Sequence, residues 1–268
     1  MIILTGYKGF IGQNFCESLD MEDVYRVEMD GAFQFIDEYK EWDKVELIIH
    51  QGAISSTVET DINKIHRYNV EFTLKLFEKA IKYQIPVKYA SSASVYGNTL
   101  TSTINPLNYY AISKVQIDYW VQQNINKFKL IQGFRYFNVY GNHECDKVKQ
   151  NQSSPVSKFI NNIRTEGKVQ LFEGSNEMLR DFVYVGDIVD IVLNNDLKSG
   201  IYDLGTGNPV SFQYVAELLT NKLGGNIEYI PFPKHLKGKY QYYTCAKMDY
   251  IKYYDFTTVE DYVTHCIY

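Results

Sequence analysis

Three side chains in this sequence have the types and the spacing for moving a proton to and from an alcohol. Ser92 lies in YASSASVYG, and Tyr110 and Lys114 lie in NYYAISK. Tyr110 and Lys114 are four residues apart, so they share one face if the segment is helical. A nearby ammonium lowers the pKa of a phenol, which is about 10 when unperturbed, so Tyr110 can serve as a base. With Ser92 bonded to the hydroxyl that reacts, the set suits hydride transfer between a carbinol and a nicotinamide.

A glycine-rich turn at the start of the chain provides a second pattern. Gly6, Gly9 and Gly12 are spaced G-x-x-G-x-x-G, between an apolar run and a segment of helical periodicity. Glycine permits a tight turn and the close approach of a pyrophosphate, and a helix amino terminus offers free N–H groups to phosphate. Tyr-x-x-x-Lys alone is common on surfaces and a glycine turn alone is weak evidence, so each pattern strengthens the other. Together they predict a dinucleotide-binding turn made of Gly6, Gly9, Phe10, Ile11 and Gly12.

The elements that must position these residues alternate along the chain. Apolar runs and apolar residues at helical spacing predict the strands Met1–Leu4, Val24–Val27, Leu47–Ile49, Val87–Ala90 and Leu130–Tyr136, and helices at about Phe10–Leu19, Asp61–Tyr83 and Tyr109–Ile125. Such alternation predicts βαβ units and therefore an α/β fold with a Rossmann-type doubly wound parallel sheet.

The sequence pattern changes after Gly141, where a polar segment is followed by shorter predicted strands and helices. We expect residues 1–141, with returning segments near 176–205, to form an NAD(P)-binding Rossmann domain. Residues 142–268 are expected to form mostly a smaller C-terminal α/β substrate-binding lobe.

Glu28 is the first choice for the acid that contacts the ribose hydroxyls, because it directly follows the second predicted strand. Asp30 is the second choice. An acid there favours NAD over NADP, since it repels a 2′-phosphate, although Lys8 or Arg26 can still serve a phosphate. A solvated carboxylate in a turn explains Glu28 nearly as well.

Composition narrows the class of protein. The net charge is −5 with both signs interspersed, which disfavours a nucleic-acid-binding protein. The four cysteines are far apart and the histidines show no ligand spacing, so neither a disulfide framework nor a metal site is expected, and a reducing cytoplasm is the simplest compartment. No apolar run approaches the length of a membrane span. The start lacks the basic region of a signal peptide.

Longer stretches carry a resemblance to a known family. They are HQGAISSTVETD at 50–61, YASSASVYG at 89–97, GFRYFNVYG at 133–141, LFEGS at 171–175, RDFVYVGD at 180–187, LGTG at 204–207, and IEYIPFP with LKGKYQ between 227 and 241. On these stretches the chain resembles the extended short-chain dehydrogenase/reductases, the NAD-dependent epimerase/dehydratase group.

The resemblance implies an enzyme, a nucleotide-sugar epimerase with tightly bound NADP or NAD. The more particular stretches imply inversion at C6 of an ADP-heptose through a transient 6-keto intermediate. Inversion needs an acid/base group on each face of that ketone. Tyr110 matches one group, and Lys147, after YFNVYG, matches the second. An ordinary lysine in a polar loop, with Lys149 nearby, remains open as an alternative. The resemblance also implies a homo-oligomer.

Further positions are carried over from the same resemblance. For the cofactor they are Gln51, Gly52, Ala53 and Asn69 beside Tyr110 and Lys114, and for the nucleotide sugar they are Ser55, Ser92, Asn138, Phe172, Arg180 and Tyr240. The forked guanidinium of Arg180 suits a diphosphate. Phe172 can border the nucleotide base, and a place in the core explains it equally well.

The chain departs from the family in two places. Only DGAFQFIDEYKEWDK fills a region that normally holds another strand and helix, which leaves NAD or NADP open. VKQNQSS follows Lys147 where the family has Gly-x-Met, which leaves the second base and the exact sugar open. Rival functions are a 4-epimerase or reductase of another nucleotide sugar and a non-catalytic binding paralogue. A dehydratase is disfavoured, because Ala93-Ser94 stands where that reaction needs Asp-Glu.

Overall fold

The protein forms two compact units in the computed structural model. The structure describes residues 1–99, 102–144, 147, 152–237, 240–251 and 253–267, apart from the side chain of His235. The first unit comprises Met1–Gly97, Ile104–Tyr136 and Val189–Tyr202, and the second comprises Asn98–Thr103, Phe137–Ile188 and Asp203–Tyr268. The domain boundary expected at Gly141 stays a prediction.

A six-stranded sheet organises the first unit. Its strands are β1 Ile2–Thr5, β2 Val24–Val27, β3 Leu47–His50, β4 Val87–Ser92, β5 Ile131–Tyr136 and β10 Gly200–Leu204. They lie in the order β10-β5-β4-β3-β1-β2, and the pairings described among β1 to β5 are all parallel. The predicted Rossmann-type parallel sheet is confirmed.

The helices of the first unit follow the strands in sequence. They are α1 Phe10–Ser18, α2 Ala32–Glu38, α3 Ile62–Ile65, the π-helical segment His66–Glu71, α4 Phe72–Tyr83 and α5 Tyr109–Asn124. The predicted helix starts at Phe10 and Tyr109 are confirmed. Strand β4 is two residues longer than predicted: it continues to Ser92, because Ser91 and Ser92 still pair with Arg135 and Tyr136 of β5.

The apolar face of α4 holds that helix to the sheet. Phe72, Leu76 and Phe77 recur at helical spacing, are buried, and join one cluster with Ile48 and Val87 of the central strands. Full burial of such a side chain contributes about 1.5–3 kcal/mol. This packing fixes β3 and β4, whose carboxyl ends carry candidate site residues.

Strand β2 is the outer strand of the sheet. The segment after it forms a short 3₁₀ turn and α2, and within the described residues no further strand pairs with β2. The order 2-1-3-4-5 of the first five strands is one of the two common orders of doubly wound sheets. It places the reversal of winding between β1 and β3, and ligands of such sheets bind at that point, at the carboxyl ends of the strands.

The second unit is built from short strands and helices around its own core. Its elements are β6 Asn138–Tyr140, α6 Pro155–Glu166, β7 Lys168–Phe172, β8 Leu179–Arg180, β9 Phe182–Tyr184, the start of α7 Val185–Asn194, β11 Val210–Ser211, α8 Phe212–Leu223, β12 Asn226–Ile230 and α9 Val259–His265. Strands β7 and β12 pair in parallel, as do β6 and β9, while β8 and β11 are antiparallel. Valines and aromatic rings such as Val156, Val215 and Tyr140 fill the space between helices and strands.

Candidate active site

The glycine turn between β1 and α1 has no room for side chains at two of its positions. Gly6 has φ +70°, and a Cβ there would lie 2.6 Å from Cα of Gly52. A Cβ on Gly12 would overlap the carbonyl oxygen of Gly6. The Gly9 N–H donates to that same oxygen at 3.0 Å, which closes the turn. The backbone at the start of α1 is therefore uncovered, which is the arrangement that receives a pyrophosphate.

A neutral histidine ties β1, β3 and α4 together beneath this turn. His50 Nδ1 lies 2.6 Å from Thr5 Oγ1, and its Nε2 lies 2.8 Å from Thr73 Oγ1. The Gly52 N–H donates to Thr5 Oγ1 at 3.0 Å. Burial lowers the pKa of His50 to about 3, and the positive charge of Lys114 acts in the same direction. His50 is thus an uncharged side chain that links β1, β3 and α4 at the carboxyl ends of the strands.

The side-chain amide of Gln51 is left unsatisfied at the reversal point of the sheet. Gln51 directly follows β3, and its amide lies beside the hydroxyl of Tyr136. Neither group makes a well-formed hydrogen bond to a described residue, although both are buried. A buried polar group without a partner costs about 1–3 kcal/mol. A bound ligand with polar atoms at this place recovers that cost, so Gln51 and the glycine turn fit a dinucleotide.

Glu28 is held beside the glycine turn. Its Oε1 accepts a hydrogen bond from the Lys8 N–H at 2.7 Å, and its Oε2 accepts one from the Met29 N–H at 3.4 Å. Lys8 Nζ and the Arg26 guanidinium lie 5.7 and 5.4 Å from the ring centre of Tyr7. One fixed carboxylate and two cations therefore surround the end of β2 where the adenosine ribose of a dinucleotide binds in such folds.

The structure brings Ser92, Tyr110 and Lys114 together. Asn108 caps the first turn of α5 by accepting from the Ala111 N–H at 2.9 Å, which sets the direction of Tyr110. The Ser92 hydroxyl, at the end of β4, is hydrogen-bonded to that of Tyr110. Lys114 Nζ lies 5.8 Å from the centre of the Tyr110 ring. The contact geometry suits the predicted acid/base set, and the catalytic role itself stays a prediction.

Burial dominates the electrostatics of this cluster. It raises the pKa of Tyr110, while the hydrogen bond from Ser92 lowers it and Asp118 raises it. It lowers the pKa of Lys114 to about 8, against the opposing effect of the Asp118 carboxylate. Near neutral pH Tyr110 is therefore protonated and Lys114 is cationic. A second positive charge, such as a nicotinamide ring brings, favours the phenolate.

Asn69 positions the loop that follows β3. Its Oδ1 accepts from the Ile54 N–H at 2.8 Å, and its Nδ2 donates to the Ile54 carbonyl at 3.0 Å and to Ser113 Oγ at 3.1 Å. Both amide hydrogens are thus used inside the protein. The loop it fixes carries the predicted contacts Gly52, Ala53 and the exposed Ser55. Direct contact of these residues with a ligand stays a prediction.

Arg180 lies within an aromatic cluster of the second unit. The buried guanidinium is 5.4 Å from the ring centres of Phe212 and Tyr240, and it donates to the carbonyls of Leu179 and Gln241. Burial lowers the pKa of Arg180, whereas Tyr240 raises it. The side chain is pre-positioned, which suits a cation that contacts an anionic ligand.

A cavity of about 410 Å³ lies within the second unit. Phe172 and Tyr240 line it, with ring centres 6.2 Å apart. Ser175 also lines it, and the Ser175 hydroxyl is buried with no hydrogen-bond partner among the described residues. Ser175 lies in LFEGS, but nothing within that stretch marks it as a site residue, and the sequence did not predict it. The walls are mostly apolar and also carry a few polar side chains such as Lys158 and Asn162, which is typical of a small-molecule pocket.

Asn138 and Lys147 also belong to the second unit. Asn138 Nδ2 donates to the Asp181 carbonyl at 3.2 Å and to Thr244 Oγ1 at 3.1 Å. Burial lowers the pKa of Lys147, and the Glu144 carboxylate opposes that fall. A lowered pKa is what a general base or acid needs near neutral pH. Residues 148–151, which include Lys149, lie outside the described residues, and the roles of Asn138 and Lys147 stay predictions.

Comparison with known proteins decides the family. Residues 2–205 match the NAD dependent epimerase/dehydratase family. The chain belongs to this family. A relative from Brachyspira hyodysenteriae, ADP-L-glycero-D-manno-heptose-6-epimerase, is 35% identical over 286 residues, which cover 92% of this chain and 89% of the relative.

Solved structures agree with this epimerase/dehydratase assignment. The crystal structure of Helicobacter pylori ADP-L-glycero-D-manno-heptose-6-epimerase has a TM-score of 0.79 at 27% identity and covers 98% of this chain and 94% of that chain. UDP-glucose 4-epimerase from Thermotoga maritima has a TM-score of 0.76 at 21% identity, covering 93% and 90% of the two chains. At that identity the second likeness shows the fold alone.

Membership in the epimerase/dehydratase family confirms the predicted enzyme and its NAD(P) cofactor. The glycine turn and the unsatisfied amide of Gln51 fit that cofactor. Within the part of the chain that the structure describes, no three His, Cys, Asp or Glu side chains come together to hold a metal ion. None of the described helices combines the length and the apolar character needed to cross a membrane.

Proposed function

We propose that this family member is a nucleotide-sugar epimerase that inverts C6 of an ADP-heptose. The single observation that carries the proposal is the hydrogen-bonded cluster of Ser92 and Tyr110 with Lys114 beside the Tyr110 ring. The relatives named as heptose epimerases support the sugar and the position, because they resemble this chain over nearly its whole length.

Ser92, Tyr110, Lys114 and Lys147 have separate roles in proton transfer. A bound nicotinamide supplies the reversible hydride transfer at C6, so the reaction has no net redox change. Ser92 orients the C6 hydroxyl and Tyr110 takes its proton, while the charge on Lys114 stabilises the phenolate. The resulting 6-keto group then presents its opposite face for the return of hydride. Lys147 donates a proton to the ketone oxygen on that face.

NAD is the proposed cofactor rather than NADP. The Glu28 carboxylate is fixed by the Lys8 N–H at 2.7 Å, beside the turn that receives the pyrophosphate. A carboxylate there accepts hydrogen bonds from ribose hydroxyls and repels a 2′-phosphate. Arg26 and Lys8 are the groups that work against this preference, and both lie over the face of the Tyr7 ring.

The cavity beside Phe172 is the proposed pocket for the adenine base. Phe172 and Tyr240 present aromatic rings to a flat base, and the buried Ser175 hydroxyl can exchange a hydrogen bond with it. Arg180 stacks on Tyr240 at 5.4 Å and supplies a fixed positive charge for the diphosphate.

Product analysis tests this function. Purified protein is incubated with ADP-heptose and, in parallel, with UDP-glucose, and proton NMR follows the configuration at C6 and at C4. We expect inversion at C6 of the ADP-heptose and no change in the UDP-glucose. Inversion at C4 of UDP-glucose identifies a 4-epimerase instead. No turnover together with no binding of added NAD(P) identifies a non-catalytic paralogue.

Two further properties remain predictions. The cytoplasmic location rests on dispersed cysteines, and the homo-oligomer rests on the family resemblance. Light scattering coupled to gel filtration measures the oligomeric state directly. A nucleotide sugar is the expected partner, and neither nucleic acid nor membrane is expected.

A further inference from the structure

A buried carboxylate lies one helical turn beyond Lys114. Asp118 of α5 is 3% exposed, and both of its oxygens accept hydrogen bonds. Its Oδ1 accepts from the Tyr89 hydroxyl at 3.0 Å, and its Oδ2 accepts from Ser91 Oγ at 3.0 Å and from Arg135 Nε at 2.8 Å. Burying a charge is costly, and an apolar group of similar size often stabilises a fold equally well. Stability alone therefore does not explain why a carboxylate stands at this position.

We propose that Asp118 is a positioning residue for Tyr110 and Lys114: it fixes α5 on β4 and provides the counter-charge for the Lys114 ammonium. The proposal rests on the function proposed above, since it assigns a task within that same site. Asp118 itself contacts neither Tyr110 nor a ligand through the hydrogen bonds described.

Three successive residues of β4 contact three successive turns of α5. The Ala90 carbonyl accepts from Lys114 Nζ at 2.7 Å, Ser91 donates to Asp118 at 3.0 Å, and the Ser92 hydroxyl is bonded to that of Tyr110. A helix rises about 1.5 Å per residue, so a slip of one residue disrupts all three contacts. The hydrogen bonds of Asp118 thus keep the hydroxyls of Tyr110 and Ser92 within hydrogen-bonding distance of each other.

Asp118 also supplies the negative charge of this cluster. Asp118 lies between two cations, Lys114 on its own helix and Arg135 on β5. The other groups that face Lys114 are the neutral His50 of β3 and the ring of Tyr110. Arg135 also donates to the Tyr96 hydroxyl at 2.8 Å. Among the groups described around this cluster, Asp118 alone carries a negative charge, so its loss leaves both cations without a described counter-charge.

The pH dependence of catalysis separates this role from a structural one. Activity is expected to fall as pH rises through the pKa of Lys114, because the neutral amine no longer stabilises the phenolate. Asp118→Asn removes the charge with little change in shape, which lowers that pKa further. We expect the alkaline limb of the pH profile, where kcat falls as pH rises, to shift to lower pH by about one unit or more. KM for ADP-heptose should change less than about twofold.

Three variants make the interpretation specific. Tyr89→Phe removes one hydrogen bond to the same carboxylate and keeps its charge, so the alkaline limb should stay in place. Asp118→Glu keeps the charge and should restore the limb even if kcat falls. Arg135→Gln removes the cation that shares the Asp118 carboxylate with Lys114 and should move the limb upward, which a general loss of stability does not produce. Arg135→Gln also keeps the test decisive if Asp118→Asn does not fold.

A direct titration distinguishes failure of the proposal from failure of the proposed function. The ε-carbon resonance of Lys114 in ¹³C-lysine-labelled protein with added NAD, assigned with Lys114→Arg, reports its protonation without substrate. We expect a lower midpoint in Asp118→Asn and a higher one in Arg135→Gln. Unchanged midpoints, or an equal shift in Tyr89→Phe, overturn the role of Asp118. Wild-type protein that titrates as expected but does not epimerise ADP-heptose overturns the proposed function alone.

Discussion

The carbonyl oxygen of Gly6 occupies the space that a Cβ on Gly12 would need. A methyl group at position 12 therefore displaces the turn that receives the pyrophosphate. We expect Gly12→Ala to weaken NAD binding at least tenfold, or about 1.4 kcal/mol, as measured by calorimetry. Gly31→Ala is the matched control, because a Cβ there meets nothing within 4 Å. Equal affinity of both variants would falsify the assignment of this turn.

Tyr110 is expected to carry the first proton transfer. Tyr110→Phe keeps the ring and removes the hydroxyl, and general acid/base groups contribute typically about 10²- to 10⁴-fold. We expect kcat for C6 inversion to fall within that range, with NAD affinity unchanged. Tyr109→Phe, at the exposed neighbouring position, should retain full activity. A wild-type rate in Tyr110→Phe, followed by proton NMR, excludes the role.

Lys147 is expected to serve one face of the ketone only. In Lys147→Ala, oxidation on the Tyr110 face continues, so ADP-heptose should still reduce bound NAD, visible as nicotinamide absorbance. Inversion at C6 should fall by about 10²-fold or more. Lys149→Ala, two residues along the chain, is the control and should invert normally. A Lys147→Ala protein that epimerises at the wild-type rate shows that the second base lies elsewhere.

Glu28 should set the preference between the two cofactors. Glu28→Gln keeps the acceptor oxygen for ribose and removes the charge that repels a 2′-phosphate. We expect the ratio of NAD to NADP affinity to fall about tenfold, which corresponds to about 1.4 kcal/mol. Asp30→Asn removes an exposed charge two residues away and should leave the ratio unchanged. An unaltered ratio in both variants means that Glu28 does not contact the ribose.

His50 should make the fold sensitive to acid. Burial lowers its pKa from 6.5 to about 3, so the unfolded chain binds the proton more tightly than the folded one. Its contribution is complete above pH 6.5 and is lost as pH falls towards 3. Between pH 7 and pH 4, His50 alone should reduce the free energy of unfolding by about 3 kcal/mol.

Urea unfolding at several pH values measures this effect. His50→Gln should be less stable at pH 7 yet show a flatter dependence on pH. His66→Gln alters an exposed histidine on the π-helical segment and should keep the wild-type slope. A His50→Gln protein with the wild-type slope shows that other groups govern acid unfolding.

Local patterns explain what the sequence could predict. The glycine turn and the pair Tyr110 and Lys114 follow from spacing within one element, so the sequence identifies them directly. Asp118 and Ser175 differ, because the burial of one and the unsatisfied hydroxyl of the other depend on residues far along the chain. The prediction for β4 stopped two residues early for a related reason. The polar residues Ser91 and Ser92 are part of the strand because they pair with β5, which lies far along the chain.

The outer position of β2 has a consequence for association between molecules. An uncovered strand edge is a template for pairing with another chain, and folded proteins protect such edges with short strands and charged side chains. This edge is four residues long, and Arg26, Glu28, Glu38 and Lys40 line the groove along it. A short edge bordered by charged side chains disfavours pairing with a second molecule, so β2 can stand as the outer strand of this sheet.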